Sequence, residues 1–509
     1  MNRDGKNRSL WQDWPAPYQP LNSGGCDYNK VYDALIVGGG ITGLTTGVLL
    51  QEAGLDCLLA EARTIGFGTS LGTTAHLNTL MDTPYPLIEK RFGLSGARLV
   101  AKAGEKAIAL VETFTAETAV ACNFERKTAW LVAATAEERQ RLDEIREASL
   151  RAGLTAYPVS DCPVKLPFLA GCCFEAQGQV NAGAYLCSLA QRFEESGGII
   201  LEHTLVDETE RETDYHKVST MEGVIKARRL IYATHIPPGV NQFSVLCAPY
   251  RSYAVAFTLA DGHYPDGLAY DMKEPYNYFR TQRVGDRDYV IAGGFDHKCG
   301  HEENTENVFR QLEAMVRAYF NVSEIAYKWS SQYFEPADGL PYIGRYPGRE
   351  ETFVATGFSG NGFTFGTFSA ILISELIMSG ESEFESLFSP SRLKPLASAK
   401  NLVMENADVV AEWLAGFWKN DKISLLTELA PGDARVVEWE GKSLAIYKSE
   451  TGKIYAVNAV CPHFGCKVSW NNTERSWDCP CHGSRFSFDG SLLTGPALSG
   501  LQGRDLDES

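Results

Sequence analysis

Two short boxes near the C-terminus constrain this chain more than anything else in it. CPHFGC occupies 461–466 and CPCHGS occupies 479–484, with fifteen residues between His463 and Cys479. Each box offers one thiolate and one imidazole, Cys461 with His463 and Cys479 with His482. Thiolate is a soft donor and imidazole a borderline one. The four suit a [2Fe-2S] centre of mixed ligation, one iron taking both cysteines and the other both histidines, or a tetrahedral zinc ion. Either way the fold must bring two loops onto one centre.

The complete pattern, with a further cysteine in each box and Ser484 behind the second, resembles the Rieske family. The resemblance implies a [2Fe-2S] cluster held by Cys461, His463, Cys479 and His482, and a disulfide between Cys466 and Cys481 for which a zinc site has no use. It also places the Ser484 hydroxyl where it bonds a cluster sulfur, stabilising the reduced, more negative state. High-potential relatives carry Tyr four residues after the last histidine ligand. Here that residue is Phe486, so the potential is expected below the top of the Rieske range of about −150 to +300 mV. Gly495, Pro496 and Ala497 resemble the proline loop that covers the cluster, and the alternating segments from KISLLTEL to KIYAVNAV read as short strands of a small antiparallel β domain.

At the other end, a strand at 33–37 (DALIV) runs into GGGITG at 38–43. Gly38 allows the tight turn, Gly40 lets backbone approach a pyrophosphate, and Gly43 lets a helix over 42–53 pack closely on the strand. That helix turns its unpaired N–H groups toward the phosphates. A second strand, 57–60, ends at Glu61, the right distance on for a carboxylate that accepts from ribose hydroxyls. Glycines and one acid do not separate FAD from NAD.

The rest of the chain resembles the D-amino-acid oxidase-like (DAO) family of flavoproteins. ARTIGFGTSLGTTAHLNT at 62–79 is similar to the loop that leaves the ribose acid and passes along the flavin, carrying Ala62, Thr69 and Thr73. Segment 176–206 resembles the family's turn, helix and strand, ending at Val206 beside the adenine, and RRLIYATH at 228–235 the strand that returns to the nucleotide. DGLPYIG at 338–344 and FVATGFSGNGFTFG at 353–366 resemble the closing strand, glycine loop and helix. That helix start, with Gly360, Gly362 and Thr364, would point at the pyrimidine end of the flavin, as Ile41 and Thr42 do at the pyrophosphate. The combination looks like a bacterial group of FAD-dependent oxidoreductases with a C-terminal Rieske domain, and SLWQDW at 9–14 and GGFDHKCG at 293–300 are two smaller matches.

The resemblance implies an α/β (α+β) flavoprotein: a Rossmann-type FAD-binding domain with an inserted antiparallel-sheet substrate domain, plus a small all-β Rieske domain. Boundaries are expected at 1–30 for an irregular arm wrapping the surface, 31–390 for the flavin and substrate unit, 391–423 for an amphipathic helical linker and 424–509 for the Rieske domain. Inserted helices are expected at 87–118 and 136–153, with strands over 250–295. A length of 509 residues and 44% apolar content accommodate these units. The net charge of −17 argues against nucleic acid and offers no basic stripe to anionic membranes. No apolar run of spanning length and no signal-peptide core are read, so a cytoplasmic protein is expected. Of thirteen cysteines, the nine outside the boxes show no framework and are expected reduced. A covalent flavin link, as in some family members, would fall first to His76.

Flavin accepts two electrons as a hydride, whereas a [2Fe-2S] cluster passes one at a time, so the pair would act as a two-to-one converter. The expected reaction oxidises the C–N bond of an amine or amino acid and passes electrons to an external protein or quinone, as a dehydrogenase more than an oxidase. Inward flow from a reductase to a flavin reductase or monooxygenase, and a redox sensor without turnover, are the alternatives. Substrate-site candidates are Arg280, as a carboxylate clamp, His297, as a base or flavin neighbour, and the group Tyr250, Arg251 and Tyr253.

Overall fold

A computed structural model describes residues 3–13, 18–21, 25–392, 407–409 and 429–504. Its first layer is an eight-stranded sheet whose centre is parallel. Strand Val31–Val37 lies between Val224–Tyr232 and Cys57–Ala60, with Ile199–Leu201 beyond the latter and Thr352–Thr356 beyond the former. Both faces of these strands are covered, which is why DALIV and CLLA are continuous apolar runs and not alternating ones. Helix Ile41–Glu52 follows the glycine turn and packs against helix Gly362–Ser379. The stretch Ser359–Ser379 is, contrary to the reading of the sequence, long and apolar enough to cross a membrane; it is 61% buried here as a core helix.

The second layer is a nine-stranded sheet, antiparallel except where Leu268–Asp271 runs parallel to Glu125–Ala133. Its long strands Cys247–Leu259, Arg287–Lys298 and Val322–Pro336 pair side by side. The expected helices are present as Tyr85–Ala116, kinked at Gly93 (φ 75°), and Ala136–Ala152, whose Thr135 and Glu138 form a reciprocal capping box.

The C-terminal module has a three-stranded and a four-stranded antiparallel sheet. It is docked on the flavin module. The linker expected at 391–423 lies outside the described residues apart from 391–392 and a helical fragment, Ala407 to Val409, whose Asp408 pairs with Lys298 and His301.

The N-terminal arm corrects the sequence reading. Its first part is not a surface wrap, since Arg3, Asp4, Ser9, Leu10 and Trp11 are buried, whereas the described residues of 19–30 are exposed or half-buried. Trp11 donates from Nε1 to the Thr73 carbonyl (2.6 Å), and Arg485 reaches Asp4 across the module boundary (2.6 Å). Residues 3–7 form a strap laid between the two modules.

Candidate redox site

The glycine turn and the closing helix meet at one cavity. Gly38 sits at φ 112° with the Ala233 carbonyl against it, a conformation that favours glycine, and a Cβ on Gly43 would lie 1.9 Å from the Gly38 carbonyl oxygen. Neither helix start is capped by its own N-cap side chain, although the Ile41 N–H donates to the hydroxyl of Ser70 (3.0 Å), which also lines the cavity. The loop after Gly360 is braced by Asp82, which accepts the Gly360 N–H and the Tyr276 hydroxyl (2.8 Å), while Asn361 accepts the Asp82 N–H (2.8 Å). Two anion-seeking helix ends sharing one cavity fit a dinucleotide whose other end carries a flavin.

Of the expected cofactor residues, Gly40, Ile41, Thr42, Thr69, Thr73, Gly360 and Gly362 line this cavity. Gly38 and Gly43 stand behind the turn. Glu61, at the end of the second strand, accepts from the N–H groups of Gly39 (2.7 Å) and Arg63 (2.8 Å), and burial raises its carboxyl against those bonds. Thr364 accepts the Asn78 N–H (3.0 Å), and Ala62 and Val206 also lie outside the lining. His76 does line it, its Nδ1 beside Thr74 (3.1 Å) and its Nε2 buried without a partner.

The substrate-site candidates fail for physical reasons. Arg280 is fully buried, its guanidinium spent on the carbonyls of Ala75 and Val180 and on Gln282, and it does not reach the cavity. His297 is tied by Nε2 to Tyr253 (2.9 Å) and by Nδ1 to the Lys298 carbonyl (2.9 Å), so it is neither a base nor a flavin neighbour. Arg251 instead faces Asp478 of the C-terminal module (3.4 Å), Tyr253 is core, and Tyr250 stacks on Tyr333.

Sequence reasoning passed over the residues that take their place: Tyr270, Tyr276, Tyr278, Tyr333, Ser252 and Asp296 line the cavity, with His235 and Gln332. The signal was the strand period. Asp296 and His297 are adjacent and so point to opposite faces. A β-bulge between Arg251 and Tyr253, opposite Phe295 at φ 57°, aims Ser252 and Asp296 inward.

The two boxes meet as well. Cys466 and Cys481 form a disulfide, leaving Cys461 and Cys479 as buried thiols outside any disulfide. The sulfurs of Cys466, Cys479 and Cys481 also cluster, but the disulfide leaves only Cys479 free to ligate. Nδ1 of His463 and Nδ1 of His482 are buried with no hydrogen-bond partner, and their rings lie 4.9 Å apart. Two thiols and two orphaned imidazole nitrogens form a donor set that fits a mixed-ligand cluster. The Ser484 hydroxyl bonds Cys461 and accepts the Ala497 N–H (3.0 Å), and Phe486 shares the core with these cysteines.

The boxes face the flavin module. Nε2 of His463 lies 3.3 Å from the Gly239 carbonyl and 3.5 Å from the Ser244 hydroxyl. Gln332, from the cavity wall, donates from Nε2 to the Gly483 carbonyl (2.8 Å). Gly300 abuts Pro480 so closely that a Cβ there would lie 2.9 Å from the proline ring.

The family model of FAD dependent oxidoreductases, DAO, matches residues 33–376, and that of the Rieske [2Fe-2S] domain matches 421–503. The Bacillus subtilis (strain 168) protein YhfW, named as a Rieske 2Fe-2S iron-sulfur protein, is 30% identical over 93% of this chain and 94% of its own. A glycine oxidase from Geobacillus kaustophilus superposes with a TM-score of 0.58 at 20% identity, over 71% of this chain and 99% of that one. An L-proline dehydrogenase from P. horikoshii does so with a TM-score of 0.58 at 18% identity, over 71% and 98%. These structures share the fold of the flavin module. The Rieske match selects the [2Fe-2S] cluster over zinc for the two boxes, and the DAO match selects FAD over NAD.

Proposed function

Because this chain belongs to the DAO family of FAD-dependent oxidoreductases and carries a C-terminal Rieske [2Fe-2S] domain, we propose that it dehydrogenates a C–N bond of an amine or amino acid and sends the electrons outward to a one-electron acceptor, protein or quinone. When bound, FAD supplies two-electron hydride chemistry and the cluster supplies one-electron transfer. Gly38 to Gly43 would cradle the pyrophosphate, Glu61, Ala62 and Val206, which lie outside the cavity lining, would hold the adenosine end, Thr69 and Thr73 would flank the ring system, and Gly360 and Gly362, with Thr364 behind them, would present a helix end to it. Cys461, His463, Cys479 and His482 are the cluster ligands.

The observation that carries this reading is the shared wall. Gln332 lines the cavity and bonds the residue that follows His482 in sequence, so one side chain touches both the cavity and the loop that carries a cluster ligand. A cluster serving only outside partners gains nothing from having His463 and His482 buried, 9% and 5% exposed, at this boundary. The outward path passes Phe464, which is 57% exposed and whose ring lies 5.6 Å from that of His482. The chain's own work is positioning and exclusion of water; the imine product hydrolyses to an aldehyde, or to a keto acid, with release of amine or ammonia.

The test is an anaerobic titration of the holoprotein with amines and amino acids, following flavin and cluster absorbance separately. The expected result is bleaching of the flavin followed by the cluster. A donor that bleaches flavin while the cluster stays oxidised would refute the relay.

A further inference from the structure

The cavity wall is rich in electrons and has no cation. Tyr270, Tyr276, Tyr278 and Tyr333 line it, the rings of Tyr276 and Tyr278 5.9 Å apart and those of Tyr270 and Tyr276 6.3 Å apart. Among them stands Asp296. Its Oδ2 accepts the Tyr333 hydroxyl (2.9 Å), while its Oδ1 is shut off from solvent and has no partner. A second carboxylate, Asp82, sits behind Tyr276. Burial raises the Asp296 carboxyl to about 7, against the lowering effect of the Ser252 and Tyr333 hydroxyls.

No cationic side chain faces Asp296. Among the described residues lining the cavity there is no Lys or Arg. Its two histidines are pushed down by burial, His235 to about 4 and His76 well below the ordinary value, so both are neutral at pH 7. Arg280, whose charge is felt by Tyr270 and His76, gives its hydrogen bonds to Ala75, Val180 and Gln282 and does not line the cavity. An ammonium group completes such a site, pairing with the free Asp296 oxygen and lying against tyrosine ring faces. A substrate carboxylate would be buried beside Asp296 with no partner, an arrangement that costs several kcal/mol.

We infer that the substrate is a carboxylate-free amine, taken up as its ammonium form by Asp296 and the tyrosines, and not an α-amino acid. This rests on the C–N dehydrogenase reading and narrows its substrate class.

The probes are tert-butylammonium, which has no hydrogen on the carbon next to nitrogen and cannot be dehydrogenated, and pivalate, its near-isostere of opposite charge. Binding of each to the holoprotein is read by calorimetry and by the flavin difference spectrum. The cation should bind at least about tenfold more tightly than pivalate, and Asp296→Asn should weaken the cation about tenfold or more at unchanged flavin content. Pivalate binding as tightly as the cation, no binding of the cation, or unchanged cation affinity in Asp296→Asn overturns the inference. If the cation binds as expected and no amine bleaches the flavin anaerobically, the binding inference stands and the dehydrogenase reading falls. If amino acids bleach it and amines do not, the dehydrogenase reading stands and this inference falls.

Discussion

Changing Asp478 to asparagine tests whether charge holds the two modules in register. Arg3, Asp4, Arg251, Glu474, Asp478 and Arg485 are all buried at the junction, and their charges, three of each sign, cancel. Asp478 touches both sides: Arg485 of its own module at 3.1 Å and Arg251 of the flavin module at 3.4 Å, with Asn471 (3.0 Å) and Ser476 (2.7 Å) donating to its remaining lone pairs. Neutralising it leaves the buried Arg251 guanidinium without a carboxylate and Arg485 with Asp4 alone, and breaking a buried pair by removing one partner costs about 3–5 kcal/mol. Burial pushes the Asp478 carboxyl up, but Arg485 and then Arg251 outweigh it and hold the group at about 2. That lies below the value of about 3.9 for an unfolded Asp, so its contribution is complete above about pH 4 and is lost as pH falls toward 2. Urea unfolding of the holoprotein, followed by visible circular dichroism of the cluster and separately by flavin fluorescence, should show the cluster transition moving to lower urea in the variant. The acid sensitivity of that transition should also shrink. A loss under about 1 kcal/mol, the worth of an exposed pair, or an unaltered acid limb in Asp478→Asn, would refute the reasoning.

Gly43→Ala places a Cβ 1.9 Å from the Gly38 carbonyl oxygen, so the purified variant should lack flavin while keeping the cluster spectrum; a normal flavin-to-protein absorbance ratio would contradict the close packing described. Gln332→Leu removes the bond to Gly483 and should cost about 1 kcal/mol. In anaerobic stopped-flow, cluster reduction should slow in this variant at an unchanged rate of flavin bleaching, and equal slowing of both would assign Gln332 to the substrate site instead.

What could be read from the sequence was what local chemistry dictates. The glycines at 38–43 and the two boxes have meanings set by turn geometry and donor type, so the cavity and the facing thiols and imidazoles lie where the motifs put them. The substrate wall depends on which face of a strand turns inward. At 276–282, YNYFRTQ, the charged Arg280 is the sequence candidate, yet Tyr276 and Tyr278 line the cavity and Arg280 bonds the Ala75 carbonyl away from it. In GGFDHKCG the histidine looked chemical, but the bulge turns Asp296 inward and leaves His297 against Tyr253. Gly300, at the end of the same motif, serves the Pro480 contact, a constraint from a segment far along the chain that no local pattern reveals.

The arm was the least legible part because its partners are the most distant in sequence. Arg3 reaches the Ser330 carbonyl and Glu474, and Asp4 reaches Arg485, so the first residues of the chain close a boundary between segments that follow hundreds of positions later. Apolar side chains of similar volume could hold such a boundary at equal or greater stability, so stability alone does not account for six buried charges. Charges differ from apolar side chains in being selective: Arg251 opposite anything but Asp478 is a buried unpaired ion, and Asp4 opposite anything but Arg485 keeps only its neighbour Arg3. A rotated docking therefore costs several kcal/mol for each pair it breaks, whereas an apolar boundary would tolerate the slip. The orientation selected in this way is the one that sets Gln332 against Gly483 and His463 against Gly239, the contacts on which the proposed transfer between the two sites rests.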